Sequence, residues 1–218
     1  MSLKFAKIAT SVAILAAAGV GLWARSQLPD APIGTHFDLQ GHVNGTLPRD
    51  IALAFGPGIA LALAATMLWL LPAIMPKNAA VERSSEAYGA SVTVIIFFLC
   101  LIHAGVVAVA LHYPVDLPRW VLAGTGLLFV VLGNYLPKTR YNYVMGIRNP
   151  WTLCNEEVWD KTHRLSGPLF MLAGALIVAG AFVVPLPLGF MLMVPAVVVV
   201  VLICNAYSYL VAKRLKLA

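Results

Sequence analysis

Residues 88–111 read YGASVTVIIFFLCLIHAGVVAVAL, twenty-four positions without an Asp, Glu, Lys or Arg. A helix rises 1.5 Å per residue, so about 20 apolar residues cross the ~30 Å hydrocarbon core of a bilayer. This stretch is long enough, and it has company. Phe5–Ala24, Ile51–Met75, Trp120–Leu136, Pro168–Val184 and Leu188–Ala212 are further apolar runs. Each is continuous, whereas a membrane β-barrel alternates apolar and polar residues in segments of ~10. The expected fold is all-α: a polytopic membrane protein of about six transmembrane helices.

Composition agrees. The chain is 61% hydrophobic and 11% charged, against about 25% charged in an ordinary soluble domain. The formal net charge of +6 would suit nucleic acid, but its distribution points elsewhere. Twelve of the fifteen Lys/Arg fall in the N-terminus, the second and fourth connections and the C-terminus. Only Arg25, Arg49 and Arg119 lie in the alternate connections. By the positive-inside bias both termini are expected to be cytoplasmic, and loop 25–50 external. The basic charge sets orientation and meets membrane lipids; no direct nucleic-acid partner is expected. A multi-pass membrane location is expected. The start resembles a signal peptide, with Lys4 and Lys7 before an apolar core, yet the run continues to Trp23, so a retained span is expected.

Three cysteines, Cys100, Cys154 and Cys204, are scattered without a CxxC and read as unpaired structural thiols. In span two, Gly56-Pro57-Gly58 predicts a kink. His103, three positions after Cys100, is the one strongly ionisable residue deep in a span. An intramembrane polar group suggests function by default. The plainer expectation is a neutral imidazole hydrogen-bonded between helices. The layout allows two three-span halves, without a residue-level repeat.

The external loop is broken by Pro29, Pro32, Gly34, Gly41, Gly45 and Pro48, and reads as a turn-rich cap or a loop that dips back toward the bundle. His36, Asp38 and His42 are metal-ligand types and weak metal candidates. No HExxH helix is present, because Gly41 and its neighbours break it. A hydrogen-bonded turn around Asp38 and Gly41 is the alternative, and Asn44-Gly45 is a second turn signal. Pro32, His36, Phe37 and Gly41 also resemble a short bacterial membrane module of unknown function that commonly heads proteins of the SdpI type.

The connection 137–166, PKTRYNYVMGIRNPWTLCNEEVWDKTHRLS, is far longer than a turn between spans requires. Its first part anchors the end of span four through Lys138 and Arg140. The second holds Asn142, Gly146, Arg148, Asn149-Pro150 and Trp151. Arg148 can stack on Trp151 or pair with a carboxylate. The third, Asn155–Leu165, predicts a short amphipathic helix that lies along the membrane surface or packs under the bundle, with Asn155 as N-cap and with Glu157–Lys161 and Asp160–Arg164 pairs. Trp151 and Trp159 are expected as interface or packing anchors. His163 and Arg164 are expected to contact a partner or headgroups.

Gly133-Asn134, Pro137-Lys138, Asn142, Gly146-Ile147-Arg148, Pro150-Trp151-Thr152-Leu153, Val158-Trp159, Thr162-His163-Arg164 and Gly167 together resemble the signature of the SdpI family. Asn149 departs from it, standing where members tend to carry Thr or another small polar residue, with an effect expected on local turn chemistry. The resemblance implies an N-terminal two-span module over 1–76 and an SdpI-like four-span region over 77–218, in one structural domain. It implies a bacterial inner (plasma) membrane protein, with immunity against a toxic peptide on the external side and signalling to a cytoplasmic repressor or other protein. Asn142, Gly146, Arg148, Pro150, Trp151, Trp159, Thr162, His163 and Arg164 are the signature and partner-contact residues it assigns. No enzymatic activity and no cofactor are expected. Two alternatives stand beside it: a metal-assisted membrane enzyme using the His/Asp loop, and a transporter or lipid-handling protein.

Overall fold

The computed structural model describes residues 2–74 and 84–217. It holds six helices long and apolar enough to cross a membrane: α1 Leu3–Gln27, α2 Arg49–Ile74, α3 Ser85–Ala110, α4 Leu117–Lys138, α5 Glu156–Val183 and α6 Leu186–Arg214. The last three residues of α4, Leu136–Lys138, tighten into a 3₁₀ turn. Between α1 and α2 the loop forms two antiparallel strands, β1 Ile33–Phe37 and β2 Val43–Leu47. Lys77, Arg83 and the end of the second apolar run at Met75 lie outside the described residues.

The helices pack as two groups of three. In one, α1, α2 and α3 close on Ala6, Ala60, Ala64, Leu68 and Ile96. In the other, α5 lies between α4 and α6, around Leu122, Ile177 and Ala181 at one end and Ala173, Val200 and Cys204 at the other. Helices α3 and α4 join the groups. Small residues set the closest approach, between α4 and α5. A Cβ on Gly126 would lie 2.7 Å from the Gly174 carbonyl oxygen, and one on Gly133 would lie 2.8 Å from that of Gly167. The contacts are reciprocal, since Gly174 and Gly167 face the carbonyls of Gly126 and Gly133. Such notches let membrane helices gain dispersion contact where hydrocarbon offers no hydrophobic drive.

The irregularity of α2 is not at Gly56-Pro57-Gly58, where the sequence predicts it. The helix runs through Pro57 and loosens at Ala65–Leu70 into a π-helical turn. The cause is downstream. Pro72 has no N–H to give, and the Leu71 N–H bonds back to Thr66. The Met67 carbonyl thereby loses its helical donors, and the Tyr88 hydroxyl of α3 donates to it instead. A π turn is thus paid for by a bond between helices.

The strands are an element the sequence reading did not resolve. Asp38 Oδ1 accepts the N–H groups of Gln40 at 2.9 Å and His42 at 2.8 Å, and Gly41 sits at φ 92°. That is the expected turn around Asp38 and Gly41. Asn44-Gly45, expected as a second turn, lies within β2 instead. Gly45 pairs with His36 at an irregular register, and the Asn44 side chain bonds His36 Nδ1. A Cβ on Gly45 would approach that of His36 to 3.0 Å, so glycine serves close pairing here rather than reversal.

The two ends of the bundle differ in charge balance. At the hairpin end Asp50 accepts from Arg25 at 2.9 Å and from Arg49 at 3.0 Å, and Asp116 from Arg119 at 2.8 Å. Every arginine at that end has a carboxylate partner. The surplus cations collect at the other end, beside the 139–155 segment.

Candidate functional site

The segment between α4 and α5 folds against the first three turns of α5. Asn155 starts that helix as the sequence predicts, its Oδ1 accepting from Glu157 N at 2.8 Å and Val158 N at 3.2 Å. Glu157 and Lys161 pair at 2.7 Å, one turn apart. No Asp160–Arg164 ion pair forms among the described residues. The helix does not stop near Leu165 to lie on the surface. It continues through Pro168 into the span as one 28-residue rod. Gly167 makes this direct route workable, because it seats α5 against Pro137 and the Gly133 carbonyl.

Val158, Trp159, Thr162, His163 and Ser166 form the buried face of this start. The Trp159 indole donates from Nε1 to the Thr139 carbonyl at 3.1 Å. The His163 ring stacks on it, with centroids 4.0 Å apart. His163 Nδ1 donates to the Trp159 carbonyl at 2.8 Å, and Nε2 accepts the Ile147 N–H at 2.9 Å. These two bonds fix a neutral tautomer. His163 is 1% exposed, so its expected contact with a partner or headgroup does not occur at the side chain. Thr162 is equally buried, and its hydroxyl has no hydrogen-bond partner among the described residues.

Gly146 makes the tight passage possible. It sits at φ 114°, a region that disfavours side chains. A Cβ there would collide with His163 Nε2 and come within 3.0 Å of Trp159. Before it, Asn142 Oδ1 accepts from Val144 N at 2.7 Å and Met145 N at 2.8 Å, while its Nδ2 donates to the Arg140 carbonyl at 2.7 Å. After it, Thr152 and Asn149 exchange bonds, Asn149 N to Thr152 Oγ1 at 3.0 Å and Thr152 N to Asn149 Oδ1 at 2.9 Å. Two side-chain-capped turns therefore flank one glycine.

The folded segment clasps both helix groups. Val144 and Met145 pack against the α1–α3 core, and Ile147 packs against Ala173, Val200 and Cys204. The Arg140 N–H donates to Ser84 Oγ at 2.8 Å beside α3. Asn149 Nδ2 donates to Asn205 Oδ1 at 3.0 Å and to Ser208 Oγ at 2.8 Å on α6. Asn149 thus does more than shape its own turn. Local spacing carries no sign of the α6 partners, because they lie 56 and 59 residues away.

The exposed side chains form the outward face. Arg148 donates from Nη1 to the Tyr143 carbonyl at 2.6 Å. It neither stacks on Trp151 nor pairs with a carboxylate among the described residues. Trp151 instead meets Tyr209 edge-on at 5.4 Å. Pro150, Arg164 and Tyr143 are exposed. The Tyr141 hydroxyl reaches the Leu153 carbonyl at 2.7 Å and Tyr143 Oη at 2.8 Å. The hydrogen bond to Tyr143, with burial behind it, pushes the Tyr141 phenol up to about 12. The signature residues divide into an inner set (Asn142, Gly146, Trp151, Trp159, Thr162, His163) that builds the segment and an outer set (Arg148, Pro150, Arg164) that is free to touch something else.

The histidine loop gathers no comparable site. His36 bonds Asn44, and His42 Nδ1 lies 3.4 Å from Asp38 Oδ2. No group of three His, Cys, Asp or Glu side chains converges among the described residues. The metal-assisted reading therefore loses its geometric basis.

Residues 138–208 match the model of the SdpI/YfhL protein family. Over 87 residues the chain is 25% identical to the immunity protein SdpI of Bacillus subtilis (strain 168), covering 40% of this chain and 42% of that protein. The match thus spans less than half of that relative's length. No solved structure matches. The matched segment begins at the last residue of α4 and takes in the clasp, α5 and most of α6.

Proposed function

We propose, from the match of residues 138–208 to the SdpI/YfhL family, that the chain is a multi-pass protein of the bacterial plasma membrane that confers immunity to a toxic peptide and signals to a cytoplasmic protein. The observation that carries this reading is the clasp. The matched residues spend their inner half on holding both helix groups and leave Arg148, Arg164, Tyr143 and neighbouring lysines outward. A segment bound to both groups can report a change in their packing to a protein bound on its outer face. With the termini cytoplasmic, the surplus cations lie inside, and the β-hairpin faces the peptide. Anionic headgroups and a cytoplasmic repressor or similar protein are the partners that the basic, aromatic outer face suits.

The test is expression in a host sensitive to a secreted peptide of this class, with survival and membrane recruitment of a co-expressed candidate repressor as separate readouts. Protection together with recruitment supports both halves of the reading. Survival no better than the empty vector, across peptides from neighbouring genomes, removes immunity. Absence of recruitment removes signalling alone.

A further inference from the structure

A cavity of about 460 Å³ lies at the other end of the molecule, between the hairpin and helices α2 and α3. Small-molecule sites occupy ~300–1,000 Å³. Thr35, His36 and Thr46 of the hairpin line its mouth, and Phe55, Ile59 and Ile102 its apolar walls. None of its lining residues is Asp, Glu, Lys or Arg.

His103 lies in that wall and is 3% exposed. Two glycines make room for its ring. A Cβ on Gly56 would lie 2.9 Å from Nδ1; one on Gly21 would lie 3.4 Å from Nε2 and 3.0 Å from the Leu53 carbonyl oxygen. That carbonyl has lost its helical donor, because the residue four positions on is Pro57. The Ala17 carbonyl also faces the ring. Among the described residues Nε2 nevertheless has no partner within hydrogen-bond geometry. Ala17 lies one turn before Gly21 on α1, the helix that faces Nε2, and its carbonyl is an acceptor, so the tautomer with the proton on Nε2 is the one that suits it. Nδ1 is then left as an acceptor beside Gly56, which itself lines the cavity.

We propose that this cavity binds a neutral, apolar-bodied group ending in a single hydrogen-bond donor, of the indole or phenol class, which donates to His103 Nδ1. A plain hydrocarbon would leave the imidazole nitrogen facing apolar atoms, and a polar atom buried without a partner is unfavourable. A charged group would enter a space with no counter-charge. Indoles and phenols carry an apolar body with one polar tip, which is the pattern the walls and His103 present together. The group can arrive as a free small molecule or as an aromatic side chain of a peptide entering beneath the hairpin. The site is independent of the immunity reading, because it lies outside the matched residues 138–208.

The experiment uses the full chain in lipid nanodiscs, titrated with indole and with indene, its near-isosteric hydrocarbon without the N–H. Binding is followed by calorimetry and by histidine nitrogen NMR. Indole is expected to bind roughly tenfold more tightly than indene, the equivalent of one hydrogen bond, and to shift the His103 Nδ1 resonance. His103→Leu should bring the two ligands level. Ile59→Trp, which fills the cavity and leaves His103 in place, should abolish both. N-acetyl-tryptophanamide forms the second arm: its binding assigns the peptide source, and its exclusion while indole binds assigns the free molecule. Equal affinities for indole and indene, no binding of either, or indole binding unchanged in Ile59→Trp would each overturn the proposal. Should His103→Leu fail to fold, the nitrogen shift in the native protein decides.

Discussion

The Ile147 N–H donates to Nε2 of His163 at 2.9 Å, across 16 residues and from a loop to a helix. This bond closes the clasp. It lets a backbone stretch with a left-handed glycine pass directly over an imidazole, and it gives a buried N–H the partner it requires. His163→Leu keeps much of the volume and removes that acceptor. The variant is expected to lose about 1–3 kcal/mol of stability, read as a lower unfolding temperature in detergent. An unfolding temperature equal to the native one would show that the bond contributes nothing.

Gly146→Ala tests the same passage from the other side. The φ of 114° and the collision with His163 act together. Strain in such a backbone region costs of order 1–3 kcal/mol. The variant should loosen the 139–155 segment, seen as faster amide exchange at Ile147, while the six spans still insert.

Gly126→Val and Gly174→Val should each push α4 from α5, because the added atoms meet backbone together with the stiff side chains of Val178 and Val130. Overpacking of this kind costs about 1–3 kcal/mol. Since the two glycines face one another, the double variant is expected to cost less than the sum of the singles. Strict additivity in thermal unfolding would mean that the two sites do not share one contact.

Asn149→Thr installs the residue type that members of the resembled family tend to carry. It removes the donor to Asn205 and Ser208 on α6. A loss of about 1 kcal/mol is expected, and Asn205→Ala in the Asn149→Thr background should add little. Arg148→Ala, by contrast, takes away an exposed bond to a carbonyl, so stability should stay within about 1 kcal/mol while protection and repressor recruitment are lost. Loss of folding in Arg148→Ala would make that side chain structural.

Tyr141 gives a pH dependence. Its phenol titrates near 12 in the folded chain, against about 10 in an unfolded one. The folded state therefore holds its proton more tightly. The stabilisation is fully present below pH ~10 and is lost as pH rises towards ~12. Tyr143→Phe removes the largest cause and should move the Tyr141 titration down, as measured by phenolate absorbance. An unmoved titration would assign the shift to burial alone.

The sequence by itself determined what depends on composition and local spacing. Six apolar runs of bilayer length make six helices, since an unpaired backbone cannot stay in hydrocarbon. The Asn155 cap, the Glu157–Lys161 pair and the Asp38 turn are contacts within a few residues, and they were legible from spacing alone. The residue order of 137–166 was likewise sufficient to point to the family. Tertiary structure decided the rest, because each remaining feature joins residues far apart in the chain. The expected short helix became the start of α5 once Gly133 and Gly167 let α4 and α5 meet. The π turn of α2 depends on a tyrosine of α3. The hairpin register rests on His36 meeting Gly45. The burial of His163, and the acceptor face of His103 beneath the hairpin, follow from which backbone groups the packing leaves without a partner. No period or local motif records that.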